Sequence, residues 1–316
     1  MQQVLNCAQS QFLQRPMSQS FTSCATGAEQ GGNDMQLIRR SYDVVKNRTY
    51  VKLKKVVNFR SAITKLASAD TLTHEEKALV YHLSARVHPN DTMYAVASGD
   101  AEYLSTGLSA LRCIQYCLNS LNNDKKVRTI LDFPCGYGRV LRFLRAKFPD
   151  ADVTVSDIDR EAVDFCTRVF GAIPEMSNRD FTKLSISRKF DLIWCGSLIT
   201  HIDKAAATHL LRFFHNHLAP GGVCVFTTHG QKAADRIGKN VHTFGLTEDA
   251  YQQLVSRFDE SGYGYTDYPS GHGDGGISVV SRERMQSIVC SVGQWKEVCY
   301  LEHGWVNLQD VYSFSL

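Results

Sequence analysis

From Val127 onward, short apolar runs alternate with amphipathic ones. VRTILDF (127–133), DVTVSD (152–157), GAIPEM (171–176), FDLIWCG (190–196) and VCVFTTH (223–229) read as strands. GRVLRFLRAKF (138–148), DREAVDFCTRVF (159–170) and DKAAATHLLRFFHNHL (203–218) repeat apolar residues at helical spacing, the first burying Val140, Leu141, Leu144 and Phe148. A strand–helix alternation predicts a doubly wound, mostly parallel α/β sheet covered on both faces. After His229 the rhythm lapses for some 60 residues (about 230–292), which hold a helix, LTEDAYQQLVSRF, and a Gly/Tyr-rich stretch, SGYGYTDYPSGHGDGG. WKEVCYLEH and QDVYSFS then close the chain as a hairpin, which places one antiparallel strand, the last, in the sheet.

Ahead of the sheet the pattern is different. Residues 1–33 are rich in Gln, Ser and Thr and read as a polar tail. Residues 34–125 read as a helical region, with LTHEEKALVYHLSARV (72–87) starting on a Thr73–Glu76 capping box and YLSTGLSALRCIQYCLNSL (103–121) forming a second long helix. Residues 126–316 make up the α/β domain.

Composition narrows the class. With 316 residues, 43% hydrophobic content and a net charge of +3, the chain is a soluble α/β protein rather than an evident nucleic-acid binder. No apolar run nears the roughly 20 residues of a bilayer span. Ten cysteines lie mostly in apolar contexts without a CxxC pair, so a reducing, cytoplasmic setting is expected and no metal site is indicated. Between Arg39 and Lys65 nine basic residues face one acid, Asp43, which reads as a solvated helix face or as a contact for a polyanion.

The chemistry concentrates in ILDFPCGYGRVLRF (130–143). Gly136 and Gly138 stand at the carboxyl end of the first strand, where a doubly wound sheet binds ligands and a following helix offers free N–H groups. Asp157 closes the second strand about 20 residues on, the place of a ribose-binding acid. Those features fit any adenosyl ligand. Leu141, where a dinucleotide fingerprint wants Gly or Ala, and Asp132, which suits an ammonium and would repel a pyrophosphate, turn the reading toward an amino-acid tail. Arg139 could pair with a carboxylate or be a solvated residue.

The run ILDFPCGYGR resembles motif I of the class I S-adenosylmethionine-dependent methyltransferases in a D-x-x-C-G-x-G-R variant, with Pro134 in place of the usual first glycine. VTVSDID, FDLIWCGSLITHI and LAPGGVCVFTTHG resemble the family's later strand motifs, and together the likeness covers about residues 94–316. It implies a Rossmann-like seven-stranded sheet with an N-terminal helical extension over the cofactor site, and S-adenosyl-L-methionine as cofactor. Asp132, Pro134, Gly136 and Gly138 would line its methionine part, Asp157 would hold the ribose and Ile158 would meet the adenine. Asp180 would meet the adenine amine or be a loop carboxylate. Cys195, Gly196 and Ser197 would form a floor beneath the sulfonium, and Tyr103 would touch the carboxylate or pack its helix.

A methyl donor of this kind needs an aligned acceptor and, for a hydroxyl or protonated amine, a base. His201 and His229, after the fourth and fifth strands, are the candidates, each alternatively structural. Tyr263, Tyr265, Tyr268 and His272 would serve a polar acceptor from a loop or lid, or belong to an exposed connection. The expected acceptor is a small molecule or glycan-type hydroxyl or amine. RNA or protein methylation, and cofactor binding without catalysis, are the alternatives. The absence of N/D-P-P-Y after the fourth strand speaks against base or glutamine N-methylation, and the absence of clustered acids there against aminopropyl transfer.

Overall fold

The computed structural model describes residues 50–121, 125–239, 244–269 and 275–316, with side chains from residue 58. The polar tail, the first part of the basic run and His272 lie outside these. The order of elements is α1 (Tyr50–Ala67), α2 (His74–Tyr81), α3 (Thr92–Val96), α4 (Asp100–Ser120), β1 (Thr129–Asp132), α5 (Leu141–Lys147), β2 (Asp152–Asp157), α6 (Arg160–Phe170), β3 (Ile173–Met176), β4 (Phe190–Cys195), α7 (Lys204–His217) and β5 (Leu218–His229). There follow α8 (Gln231–Gly238), α9 (Glu248–Ser261), β6 (Tyr263–Asp267), β7 (Gly276–Val280), α10 (Arg282–Val292), β8 (Lys296–Trp305) and β9 (Gln309–Ser315).

Seven strands form one sheet in the order β3-β2-β1-β4-β5-β9-β8. β1 to β5 are parallel, and β9, the last strand in the chain, runs antiparallel between β5 and β8. The order reverses between β1 and β4, so the carboxyl ends of those two strands open onto the crevice in which such sheets take ligands.

Period-2 alternation sorts each strand's side chains onto two apolar layers. Ile130, Val153, Val155, Trp194, Val225 and Val311 pack with α4, α5 and α6 on one face. Leu131, Ile193, Cys195, Phe226 and Tyr312 pack with α7 and α10 on the other. A third cluster joins α1, α2 and the outer side of α4 to Phe143 of α5. α5 is therefore buried on both sides, which the amphipathic reading of its sequence did not anticipate.

The capping box at Thr73 forms as expected, with Glu76 N–H donating to Thr73 Oγ1 at 3.2 Å and Thr73 N–H to Glu76 at 2.9 Å. Its helix ends at Tyr81, short of the expected Val87. The segment beyond is drawn out because the carbonyls of Ser84 and Arg86 accept from the Arg142 guanidinium, at 2.6 and 3.3 Å. The described residues of 230–292 hold more regular structure than the lapse in rhythm suggested. They hold three helices and a separate β6–β7 hairpin, and α8, α9 and β7 share a small core.

Candidate active site

The turn after β1 takes its shape from two glycines with positive φ, Gly136 at 48° and Gly138 at 82°. At Gly136 a Cβ would meet nothing within 4 Å, so the turn leaves open space for a ligand; at Gly138 it would sit 2.6 Å from the Phe170 ring. Only glycine meets both demands. The Phe133–Pro134 peptide bond is cis, and the Cys135 N–H donates to Ser156 O at 3.0 Å, tying the turn to the neighbouring strand β2.

Two carboxylates face this turn. Asp157, at the end of β2, accepts from Gly136 N–H at 2.8 Å and from Asp159 N–H at 3.0 Å. Burial raises its pKa, and those two backbone donors moderate the rise. Asp132 is 1% exposed and neither of its oxygens has a hydrogen-bond partner. Burial first, and then the charge of Asp157, push its pKa well above the usual carboxylate range. A buried carboxylate with no donor is costly unless a cation reaches it. An amino-acid ammonium supplies that cation, so the residues present fit S-adenosylmethionine. Ile158, beyond Asp157, is exposed and offers an apolar face for a ring.

Arg139 is the other charged group at the turn. Its guanidinium lies 5.8 Å from the Trp305 ring centroid, with Tyr103, Asp91 and Glu102 as its charged or ionisable neighbours. Burial lowers its pKa. It is thus a partly desolvated cation rather than a solvated one. Tyr103 is fully buried, and its hydroxyl donates to Asp91 at 2.6 Å. That places it in the wall of α4, where it packs.

Arg142 carries no signal in the sequence, where RVLRFLRAK reads as a helix with its arginines outward. It is 1% exposed and donates to Gly138 O at 3.2 Å as well as to Ser84 and Arg86 O. Its guanidinium also lies over the rings of Phe59, Tyr103 and Phe170. One side chain therefore fastens the glycine turn to the helical region in front of the sheet. From that region His88 stacks on Tyr137 at 4.6 Å, and Tyr137 in turn donates to Asp159 at 2.8 Å.

Beyond β4 the backbone turns sharply. Ser197 adopts φ 58°, and a closed set of hydrogen bonds holds it there. Ser197 N–H donates to Thr227 Oγ1 at 2.9 Å, Thr227 donates to Gln309 Oε1 at 2.6 Å, and Gln309 Nε2 donates to Ser197 Oγ at 3.0 Å. Gln309 begins β9, in the run WVNLQDV (305–311). The Cys195 side chain is wholly buried in the α7-side layer, so only its backbone can contribute to a floor beneath a ligand. A Cβ on Gly196 would stand 2.7 Å from the Trp194 ring. Asp180 is an N-cap: it accepts from Thr182 N–H at 3.1 Å and pairs with Lys183 at 3.1 Å, and its pKa is lowered to about 2, first through the Thr182 side chain.

His201 and His229 meet at the carboxyl edge with their ring centroids 6.5 Å apart. Their Nδ1 atoms face backbone carbonyls of β7, His201 toward Gly276 O at 3.0 Å and His229 toward Ser278 O at 3.3 Å. These carbonyls are two residues apart on one strand and so point the same way. A carbonyl only accepts, so a bond to it is made by the Nδ1–H form of each ring. Burial lowers the pKa of His201, against the pull of the Gly276 carbonyl. The Tyr268 hydroxyl lies 3.1 Å from His201 Nδ1. Tyr263 is buried and donates to Ile202 O at 3.0 Å, and Tyr265 donates to Asp267 at 2.7 Å. Tyr263 and Tyr265 thus belong to a paired strand, not to a loop, and Tyr268 is the one of the three described tyrosines that lies beside His201. Among the described residues no group of three His, Cys, Asp or Glu could hold a metal ion, and no helix is long and apolar enough to cross a membrane.

Residues 130–222 match the family model described as a methyltransferase domain. A curated relative, malonyl-[acyl-carrier protein] O-methyltransferase 1 of Ilyobacter polytropus, is 25% identical over 142 residues, which are 44% of this chain and 52% of the relative. The match thus spans about half the relative's length. Among solved structures, an S-adenosylmethionine-dependent methyltransferase from Clostridium acetobutylicum aligns with 18% identity and a TM-score of 0.46, over 67% of this chain and 92% of its own. The CcbJ methyltransferase from Streptomyces caelestis aligns with 13% identity and a TM-score of 0.47, over 71% and 95%.

Proposed function

We propose that the chain is a class I S-adenosylmethionine-dependent methyltransferase that transfers a methyl group to a hydroxyl, or an amine, of a small-molecule or glycan-type acceptor. The observation that supports the acceptor chemistry is the pair of histidines, His201 and His229, held through Nδ1 at the edge beyond β4 and β5, with burial lowering the pKa of His201. A neutral imidazole with Nε2 available is a base matched to a hydroxyl or ammonium proton near neutral pH. The name of the curated relative, an O-methyltransferase, agrees with transfer to oxygen.

In this reading Asp132 takes the ammonium of the bound cofactor and Arg139 its carboxylate. Asp157 uses the lone pairs left over from Gly136 and Asp159 N–H for the ribose hydroxyls. Ile158 covers the adenine. When bound, the cofactor supplies an electrophilic methyl group on a sulfonium. The protein's part is to align the acceptor with it, and His201 or His229 accepts the acceptor's proton. Tyr268 sets the His201 ring.

Two measurements test this. Titration with S-adenosylhomocysteine should show binding that Asp157→Ala weakens at least ~10-fold, the loss of a charged hydrogen-bond acceptor. Methyl-labelled cofactor added to fractionated extract should label a small-molecule or glycan fraction. Label confined to RNA or protein would reject the acceptor class and leave the cofactor reading intact. No binding of S-adenosylhomocysteine would reject both.

A further inference from the structure

Helix α4 and the edge strand β8 meet along a seam that runs outward from the cofactor turn. Four successive contacts mark it: Trp305 Nε1–H donates to Thr106 O at 3.0 Å, Val306 N–H to Ser109 Oγ at 3.2 Å, and Cys113 S–H to Gly304 O at 3.3 Å. At the far end the sulfur atoms of Cys117 and Cys299 lie 3.1 Å apart. Positions 106, 109, 113 and 117 share one face of the helix, so the seam follows from α-helical spacing.

The two thiols differ in access and in acidity. Cys117 is fully buried, whereas Cys299 is half-buried and open to a small oxidant. In the neutral pair Cys299 S–H donates to the Cys117 sulfur, and the contact between the two thiols holds the Cys299 thiol below its ordinary pKa and pushes that of Cys117 up. The thiolate is the form that reacts with peroxide. Of the other described cysteines, Cys113, Cys135, Cys166, Cys195 and Cys224 are buried, and Cys290 is exposed on the far side of the sheet, on α10.

We propose that Cys117 and Cys299 are an oxidation site: a peroxide oxidant converts the pair into an intramolecular disulfide that fastens α4 to β8. The Cys299 thiolate attacks one oxygen of hydrogen peroxide and breaks the O–O bond, giving a sulfenic acid and, after proton transfer, one water. The Cys117 sulfur then attacks the Cys299 sulfur, the S–O bond breaks, and the hydroxyl leaves as a second water. Both thiols are oxidised, one peroxide is reduced, and both thiol protons end in water. The sulfurs must approach by ~1 Å to reach bonding distance, within reach of small χ rotations. The bond would close a loop through most of the α/β domain along a seam whose other contacts are already made, so it should stabilise the native arrangement without distorting it.

The test treats the folded full chain with a stoichiometric amount of hydrogen peroxide, blocks the remaining thiols and maps peptides by mass spectrometry. The expected product is a Cys117–Cys299 cross-linked peptide, with a rise in Tm of ~5 °C that dithiothreitol reverses. S-adenosylhomocysteine binding should stay within about two-fold of the reduced protein, because a bond that fits the native seam leaves the adjoining turn where it is. Cys299→Ser and Cys117→Ser should each abolish the cross-link, and the half-buried site makes Cys299→Ser the milder variant. A bridge between Cys113 and Cys299, or between Cys135 and Cys166, would overturn the assignment. So would dimers through Cys290 alone, or a cross-link that appears only in urea or at the expense of ligand binding.

Discussion

Between β1 and β3 the ligand-facing groups are glycine turns and strand-end acids. Asp132, Gly136, Gly138 and Asp157 all fall within one strand–helix–strand unit, and Gly136 N–H is bonded to Asp157 directly. Beyond β4 and β5 the construction is different. His201 and His229 are placed by Gly276 and Ser278, 75 and 49 residues further along the chain, and Ser197 is held by Gln309, 112 residues away. One half is written in the local backbone geometry of a single strand–helix–strand unit. The other is assembled from side chains that a separate hairpin and the last strand bring to the edge. The difference teaches what each half depends on: the first on the dihedrals of its own turn, the second on partners brought from far along the chain.

Arg142→Met is the severest challenge to that division, because Arg142 connects the cofactor turn to distant residues. It removes donors from Ser84, Arg86 and Gly138 carbonyls in the interior, so a loss of ~3 kcal/mol is expected from urea denaturation, along with weaker S-adenosylhomocysteine binding. A change under ~1 kcal/mol would mean that the turn stands without the helical region. Gly138→Ala tests the turn alone. It places a Cβ 2.6 Å from the Phe170 ring at a φ of 82°, and should cost ~2 kcal/mol and at least ~10-fold in affinity for the same ligand.

A third prediction concerns pH. Asp132 and Asp157 both have folded pKa values raised above their unfolded ones, so without ligand each contributes stability at low pH that is lost as pH rises through its folded pKa. An ammonium binds the ionised form of Asp132. Affinity for S-adenosylhomocysteine should therefore increase with pH through that same window, measured by calorimetry, and Asp132→Asn should flatten the increase to what Asp157 alone supplies. A pH-independent wild type would remove Asp132 from the ammonium site. Tyr268→Phe should have the smallest effect. It alters one hydroxyl beside His201, so stability should move by less than ~0.5 kcal/mol and cofactor affinity should not change. Methyl incorporation into the labelled fraction should fall several-fold, with its acid limb set by the lowered His201 pKa. Loss of cofactor binding in this variant would erase the distinction between the two halves.

Much of this molecule can be read from the chain alone. The capping box at Thr73, the strand–helix alternation, the glycine turn and the acid at the end of β2 are local patterns, because helix caps, periodicity and positive-φ turns depend on neighbours in sequence. Tyr263 and Tyr265 mislead for the opposite reason: a glycine-rich context reads as a loop, but pairing with Ile277 to Val280 makes it a strand. Arg142 misleads too, since its helix spacing matches that of its exposed neighbours and only the third apolar cluster folds over it.

The local pattern thus fixes a seven-stranded α/β sheet, its ligand edge and a turn with room for an amino-acid tail. Those features follow from backbone dihedrals and side-chain period, which neighbouring residues set. The folded chain decides the rest: which carbonyls the two histidines face, that Asp132 has no donor, and that Gln309 holds the turn after β4. These depend on burial and on hydrogen-bond partners drawn from segments far apart in the chain, and distances of that kind exist only once the sheet has closed.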